Sequence, residues 1–138
     1  IVTMLYAMSG KPDAGKAPFS DVSSARYYAK AVAWAAENGI VAGFEDGTFH
    51  PNDNVTREQM AAILYRYAKL RGQDMTASAD LSAYTDADKI QPFALKPFQW
   101  AVANGIISGT SATTLDPEAT TNRLQVCLMV YRMLSTLE

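Results

Sequence analysis

The chain has 138 residues, of which 49% are apolar and 19% charged, and its net charge at pH 7 is −2. This apolar fraction is sufficient for a compact domain with a buried core, and it excludes a disordered chain. The slight negative charge argues against a nucleic-acid partner, because proteins that bind nucleic acid normally carry a basic face. Cys127 is the single cysteine, which excludes an internal disulfide. It lies in an apolar run of a predicted helix, so we expect it to pack in the protein core.

The sequence offers little for membrane or metal chemistry. No apolar run reaches the roughly 18 residues that a membrane-spanning helix needs, so we expect no membrane insertion. His50 has no second imidazole to complete a metal site, and the loop at 52–54 lacks the ligand spacing of a calcium-binding loop. We therefore predict no metal, no cofactor and no catalytic residue.

The first predicted element is a helix over residues 1–8, followed by a linker at 10–18 that is rich in Gly, Pro, Ala and Ser. The next is an alanine-rich helix over residues 24–38. It ends at Asn38-Gly39, a pair that suits the left-handed residue after a helix C-terminus.

A third helix is predicted over residues 56–70, where apolar side chains recur on one stripe. Thr56 and Gln59 have the spacing of a capping box, which fixes the start of this helix. Arg57 then occupies the first helical position, where a cation meets the positive end of the helix dipole and costs a few tenths of a kcal/mol. This position indicates that a positive charge is needed there for another reason.

The second half of the chain begins with a linker at 71–83. The segment after it is disturbed by Pro92 and Pro97, so we predict a short turn and then a helix that begins near Pro97. The last predicted helix covers residues 122–137.

The elements of the two halves are repeats of one another. Residues 34–40 read WAAENGI and residues 100–106 read WAVANGI, and the related triplets FSD and YTD precede them. The second helix of each set contains ILYRY at 63–67 or MVYRM at 129–133. Many matched positions at a nearly constant spacing indicate a tandem repeat.

The boundaries of the repeats follow from these matches. Residues 1–10 correspond to the last helix of a repeat, because their Leu-Tyr pair stands where Leu64-Tyr65 stands in the next one. We therefore predict one repeat domain over the whole chain, with a full repeat at 19–72 and a more degenerate full repeat at 84–138. Each full repeat is predicted to be helix, loop, helix, so the fold class is all-α.

Four motifs follow one another in the order F-x-D, W-A-x-x-N-G-I, G-F-x-D-G-T-F-x-P and V-T-R-E-Q. In these motifs and their order the sequence resembles the S-layer homology family, which usually has three tandem repeats. The resemblance is strongest in 19–72, which carries TREQ in place of the family's TRAE motif. It is weaker in 84–138, where GTSATTLDP replaces the glycine-rich loop and TNRLQ keeps only the arginine and Gln125. The family implies a pseudo-threefold spindle around a central three-helix cluster.

The resemblance also implies a function, the non-covalent anchoring of secreted proteins to the bacterial cell wall. The implied ligand is an anionic secondary cell-wall polysaccharide, often pyruvylated, held in grooves between repeats. Arg57 suits this ligand, since a guanidinium beside free helix-start N–H groups can bind a carboxylate. The bound anion would offset the dipole penalty.

The candidate ligand-binding residues are of three kinds, namely arginines at helix starts, loop residues near the sugar and tryptophans that stack on it. They are Arg57, Arg123, Gly43, Asp46, Gly47, Trp34 and Trp100. We expect the site of Arg57 to be the better preserved, because the loop of its own repeat keeps the family glycines. Core packing remains the alternative for the tryptophans, and solvation or an ion pair with Asp53 remains the alternative for Arg57.

Two other functions remain open from the sequence. One is a structural protein–protein module of a surface assembly. The other is a cell-wall glycan hydrolase with paired carboxylates such as Asp46 and Glu58, although repeated sites argue against a single active site. The truncated first repeat should leave an apolar face uncovered, so we expect another chain or a missing segment to complete it.

Overall fold

The computed structural model describes residues 1–11, 14–15, 18–23, 28–41, 47 and 55–137. In these ranges the chain is all-α, as predicted, with helices α1 Val2–Met8, α2 Ala29–Glu37, α3 Arg57–Leu70, α4 Pro92–Ala103 and α5 Arg123–Leu137. A 3-10 turn at Ala87–Lys89 precedes α4. The same ranges hold no β-strand, and their one isolated bridge pairs Thr56 with Thr120.

The helices belong to two compact units, Ile1–Asp53 and Asn54–Glu138. In the first unit, α1 packs against α2. In the second unit, α3 packs against α4 and also contacts α5. Each unit therefore joins the second helix of one repeat to the first helix of the repeat that follows it.

Three residues at equivalent positions of the repeated second helices are buried. Leu5 in α1 and Leu64 in α3 have no exposed surface, and Val130 in α5 is also buried. The packing of α3 with α5 agrees with the predicted central cluster. The place of α1 in that cluster, and with it the pseudo-threefold spindle, stays a prediction.

The starts of α3 and α5 are capped in the same way. Thr56 Oγ1 accepts a hydrogen bond from the Gln59 N–H at 3.2 Å, and Gln59 Oε1 accepts from the Thr56 N–H at 2.9 Å. At α5, Asn122 Oδ1 accepts from the Gln125 N–H at 2.8 Å, and Gln125 Oε1 accepts from the Asn122 N–H at 2.9 Å. The degenerate repeat has thus kept its capping box although the threonine has changed to asparagine.

The ends of α2 and α4 are also equivalent, as predicted from the Asn-Gly pairs. Gly39 and Gly105 have φ angles of 72° and 69°, which residues with a side chain adopt only at a cost. The start of α2 differs from the prediction, because the helix begins at Ala29 after a turn rather than at Ser24. Residues 24–27 lie outside the described ranges.

The predicted start of α4 near Pro97 is wrong. The helix begins at Pro92 and carries Pro97 in its interior. Pro97 removes one intrahelical hydrogen bond, the one to the carbonyl of Phe93. Phe98 and Trp100 of the same helix are fully buried, and their packing outweighs this loss.

The prediction that Cys127 packs in the core is also wrong, since this thiol is exposed. Helix α5 buries Met129, Val130 and Met133 and turns the side with Cys127 to the solvent. An apolar run in the sequence did not reveal which side of the helix has a neighbour.

Candidate functional site

The start of α3 is held by a segment of the following repeat, residues 108–121, which we call the docked loop. The N–H of Arg57 donates to the carbonyl of Ala119 at 2.9 Å, and the N–H of Glu58 donates to the carbonyl of Pro117 at 2.9 Å. The third N–H of the helix, that of Gln59, donates to Oγ1 of the capping Thr56. The expectation that helix-start amides remain free for a ligand is therefore wrong in this structure.

The side chain of Arg57 is buried under the docked loop and is 7% exposed. Its Nε donates to the carbonyl of Leu115 at 2.7 Å, and its Nη2 donates to the carbonyl of Ser108. Its Nη1 has no hydrogen-bond partner among the described residues. Arg57 is not a solvated arginine, and the alternative pairing with Asp53 lies outside the described residues.

Asp86 also binds the backbone of the docked loop. Its two carboxylate oxygens accept from the N–H groups of Leu115 at 2.9 Å and Asp116 at 2.8 Å. Burial opposes ionisation of Asp86, but these amide hydrogen bonds outweigh it and hold its pKa below the ordinary value. Burial lowers the pKa of Arg57, and the negative charges of Asp116 and Asp86 oppose that shift.

Glu58, the neighbour of Arg57, connects α3 to the helix packed against it. The carboxylate is buried, and its Oε2 accepts from the N–H of Gln91 at 3.1 Å. Gln91 is the N-cap residue of α4. A carboxylate at this end of α4 satisfies a helix-start donor and interacts favourably with the helix dipole.

The two tryptophans lie in the core. Trp34 is 4% exposed and lies 5.7 Å from the ring of Tyr6, centroid to centroid. Trp100 is 0% exposed and lies edge-on to Tyr65 at 5.6 Å. Neither tryptophan ring has a face open to the solvent in this structure. The burial of the two rings therefore does not support the predicted stacking on a sugar. In both pairs of helices the tyrosine and the tryptophan at equivalent positions are thus in contact, although their ring planes are tilted by 52° in one pair and 86° in the other.

Gly47 has a backbone conformation that suits the turn predicted from the sequence. Its φ of 81° is in the left-handed region, where glycine is favoured. Its carbonyl accepts from the N–H of Ser20 at 3.0 Å. The equivalent contact in the last repeat joins the N–H of Thr85 to the carbonyl of Thr113 at 2.8 Å. Gly47 and the equivalent Thr113 thus each accept a hydrogen bond from the triplet that precedes the first helix of their repeat.

Two of the predicted site residues lie outside the described ranges, and a third is described by its backbone alone. Gly43 and Asp46 lie outside the described residues. Arg123 is the first residue of α5, but its side chain is not described. The structure therefore brings Arg57 to the docked loop of the following repeat, and its relation to the loop of its own repeat stays a prediction.

Sequence reasoning missed the role of Asp86 and the contact between the docked loop and α3. A signal was present, since Asp86 is the aspartate of the YTD triplet and FSD has the same residue in the other repeat. An aspartate at the same place before a helix in both repeats indicates that its carboxylate accepts hydrogen bonds from fixed N–H donors. At Asp86 these donors are the N–H groups of residues 115 and 116.

The described ranges contain neither a candidate membrane span nor a candidate metal site. None of their helices combines the length and the apolar character that crossing a membrane requires. Nor do they contain a group of three or more His, Cys, Asp or Glu side chains arranged to hold a metal ion.

The comparisons with known proteins agree on one family. The family model described as "S-layer homology domain" matches residues 18–61 and 83–127, which is more than half of the chain. The chain is 34% identical over 127 residues to the "Surface-layer 125 kDa protein" of Lysinibacillus sphaericus, covering 90% of this chain and 10% of that protein.

Two further relatives have different names. The chain is 31% identical over 117 residues to an "Endoglucanase" of Bacillus sp. (strain KSM-635), covering 85% of this chain and 12% of that protein. It is 26% identical over 116 residues to the "Cellulosome-anchoring protein" of Acetivibrio thermocellus, covering 84% of this chain and 26% of that protein. The chain thus spans about a quarter or less of each of these relatives.

Proposed function

Because the chain belongs to the S-layer homology family, we propose that it is a non-covalent anchoring module at the bacterial cell surface. The single observation that carries this proposal is the family match within each of the two full repeats. The printed names of a surface-layer protein and a cellulosome-anchoring protein support a role in attachment to the cell wall.

The proposed ligand is an anionic cell-wall polysaccharide with a carboxylate such as a pyruvate ketal. The support is the family resemblance together with Arg57, a buried cation whose Nη1 has no hydrogen-bond partner among the described residues. A charge-assisted hydrogen bond from this nitrogen would contribute on the order of 1.5–3 kcal/mol. The negative charges of Asp116 and Asp86 near Arg57 act against a bound anion, so the carboxylate would have to be held by the hydrogen bond to Nη1.

The docked loop supplies a second kind of contact in this proposal. Its exposed part carries hydroxyl groups from Thr110, Ser111 and Thr113, and Thr114 beside them is half-buried. Neutral hydroxyls exchange hydrogen bonds readily with sugar hydroxyls. Arg57 would then have two roles, holding the loop in shape and pairing with the ligand carboxylate.

The hydrolase alternative has weaker support. The segment shared with the endoglucanase is 12% of that protein, so we propose that it is the attachment part rather than the catalytic part. One of the paired carboxylates considered from the sequence, Glu58, is buried and bound to the start of α4. The protein–protein alternative has better support, because α5 exposes several large apolar side chains.

The test is a calorimetric titration of the chain with purified wall polysaccharide, before and after chemical removal of its pyruvate groups. We expect binding to the first form and a loss of affinity of about tenfold or more for the second. Arg57→Lys should weaken binding by a similar factor, since it keeps the charge but loses the planar fork. Arg132→Lys, at an exposed position of α5, is the matched control.

Two results would contradict the proposal. One is the absence of binding to polysaccharide from any of several bacterial walls, and the other is equal affinity for the wild type and Arg57→Lys. A rise in reducing ends during incubation would instead support the hydrolase. Far-UV circular dichroism of each variant separates a lost contact from a lost fold.

A further inference from the structure

Two Asn-Gly pairs end equivalent helices, Asn38-Gly39 after α2 and Asn104-Gly105 after α4. This dipeptide is chemically labile, because glycine has no side chain to keep its nitrogen away from Cγ of the asparagine. Attack by that nitrogen forms a bond to Cγ and breaks the bond from Cγ to Nδ2, so ammonia leaves and a succinimide ring remains. Water then opens the ring at either carbonyl and gives aspartate or isoaspartate.

The folded backbone keeps the reacting atoms of both pairs apart. The ring closes only when rotation about the Cα–C bond of the asparagine brings the glycine nitrogen alongside Cβ. The ψ angles are 9° at Asn38 and 4° at Asn104, and a ψ near zero places that nitrogen alongside the asparagine's own backbone nitrogen instead. Each asparagine must therefore leave its folded conformation before it can react.

Hydrogen bonds hold the same atoms in place. Nδ2 of Asn38 donates to the carbonyl of Trp34 at 2.8 Å, and the N–H of Gly39 donates to the carbonyl of Ala36 at 3.2 Å. The two corresponding bonds at the end of α4 measure 2.9 and 3.1 Å. The leaving nitrogen and the attacking nitrogen are thus both engaged while the helix end is closed.

A buried isoleucine fastens each helix end to the core. Ile40 and Ile106 directly follow the two glycines, and neither has exposed surface. Their N–H groups donate to the carbonyls of Ala35 and Ala101, both at 2.9 Å. Rotation at the asparagine redirects the chain at this isoleucine and withdraws it from its contacts, so the reactive conformation is rarely populated.

We propose that Asn38 and Asn104 are sites of spontaneous deamidation and that each reacts only through local opening of its helix end. The product does not restore the closed end. Aspartate has no N–H to donate to the tryptophan carbonyl, and its negative charge meets the negative end of the helix dipole. Isoaspartate also lengthens the backbone by one carbon. Deamidation is therefore a one-way loosening of the end of α2 or α4.

The test compares the whole chain in buffer and in concentrated urea at the same mildly alkaline pH, with deamidation followed by mass spectrometry of proteolytic peptides. In urea both Asn-Gly pairs should react readily, whereas Asn122, which precedes an arginine, should react slowly. In the folded chain both pairs should react at least about tenfold more slowly than in urea. This slowdown should match the hydrogen-exchange protection of each glycine N–H within about threefold, because both reactions need the same opening.

Matched variants separate the two helix ends. Ile40→Val weakens one anchor and should speed deamidation of Asn38 about threefold or more, while changing that of Asn104 less than about 1.5-fold. Ile106→Val should do the reverse. Asn38→Asp reproduces one product and should lower the exchange protection of the following glycine N–H at least about fivefold, without an effect at the end of α4.

Three outcomes would overturn the proposal. The first is a folded chain that deamidates less than about tenfold more slowly than the chain in urea. The second is Ile40→Val without selective acceleration of Asn38, since equal acceleration of both sites would mean that the whole chain unfolds first. The third is a slowdown that differs from the glycine exchange protection by more than about threefold. Far-UV circular dichroism checks that each variant remains helical in buffer.

Discussion

Helices α3 and α5 occupy the same position in consecutive repeats, and they differ mainly in what lies next to them. Both begin with a capping box, and both bury an apolar residue at the same point, Leu64 in α3 and Val130 in α5. At the next position, Tyr65 of α3 contacts Trp100 of α4, whereas Tyr131 of α5 is exposed to the solvent. Equivalent sequence thus gives an equivalent helix, but its surroundings decide whether a residue is core or surface.

The comparison extends to the first turns of the two helices. The start of α3 carries the docked loop, whose residues contact the backbone and the side chain of Arg57. The first turn of α5 is capped by its own Asn122 and Gln125. An arginine at the first position is therefore a fixed part of the packing in α3, which was not evident from its position in the sequence.

The largest effect is expected from Arg57→Ala. This change leaves the carbonyls of Leu115 and Ser108 without their donor under the docked loop, so it should lower the free energy of unfolding by about 2–4 kcal/mol. Arg132→Ala, at an exposed position of α5, should change it by less than about 0.5 kcal/mol. Urea unfolding followed by circular dichroism measures both. Equal losses would mean that the two arginines are in equivalent surroundings.

The next effect concerns Asp86, and it depends on pH. The pKa of Asp86 is lowered in the folded state, so its stabilisation is complete at neutral pH. It is lost as the pH falls through the ordinary aspartate value and then through the lower folded value. Asp86→Asn should lower the free energy of unfolding by about 1–2 kcal/mol at pH 7. Below about pH 4 the free energy of unfolding of this variant should fall less steeply with decreasing pH than that of the wild type. A variant with the same acid profile as the wild type would contradict this account.

A smaller effect is expected from the capping residues, and here α3 and α5 should behave alike. Thr56→Ala and Asn122→Ala each remove one side-chain acceptor from a helix start, which costs about 1 kcal/mol. Hydrogen exchange of the first-turn amides should report a local effect in each case. An effect of Thr56→Ala with none of Asn122→Ala would contradict the capping box described at the start of α5.

Local features of the fold could be predicted from the sequence because they depend on neighbours along the chain. The capping box of Thr56 and Gln59 and the left-handed ends at Gly39 and Gly105 are of this kind. The start of α4 could not be predicted from propensity, because packing of buried aromatic residues carries the helix through Pro97.

The candidate site was less predictable, because it depends on contacts between residues far apart in sequence. Arg57 was identified, but its carbonyl partners lie in the next repeat and its side chain is buried. Trp34 and Trp100 were predicted as binding residues from the resemblance, whereas the packing places both in the core. Their contacts with tyrosine could have been anticipated only from the repeated spacing of both aromatic residues.

The comparison of α3 with α5 is tested most directly by paired unfolding measurements on Tyr65→Ala and Tyr131→Ala. Tyr65 contacts Trp100 and is partly buried, so its removal should lower the free energy of unfolding by about 2–3 kcal/mol. Tyr131 is 67% exposed, so its removal should change that free energy by less than about 0.5 kcal/mol. Equal losses in the two variants would show that Tyr131 already has a partner within the chain, and would contradict the account.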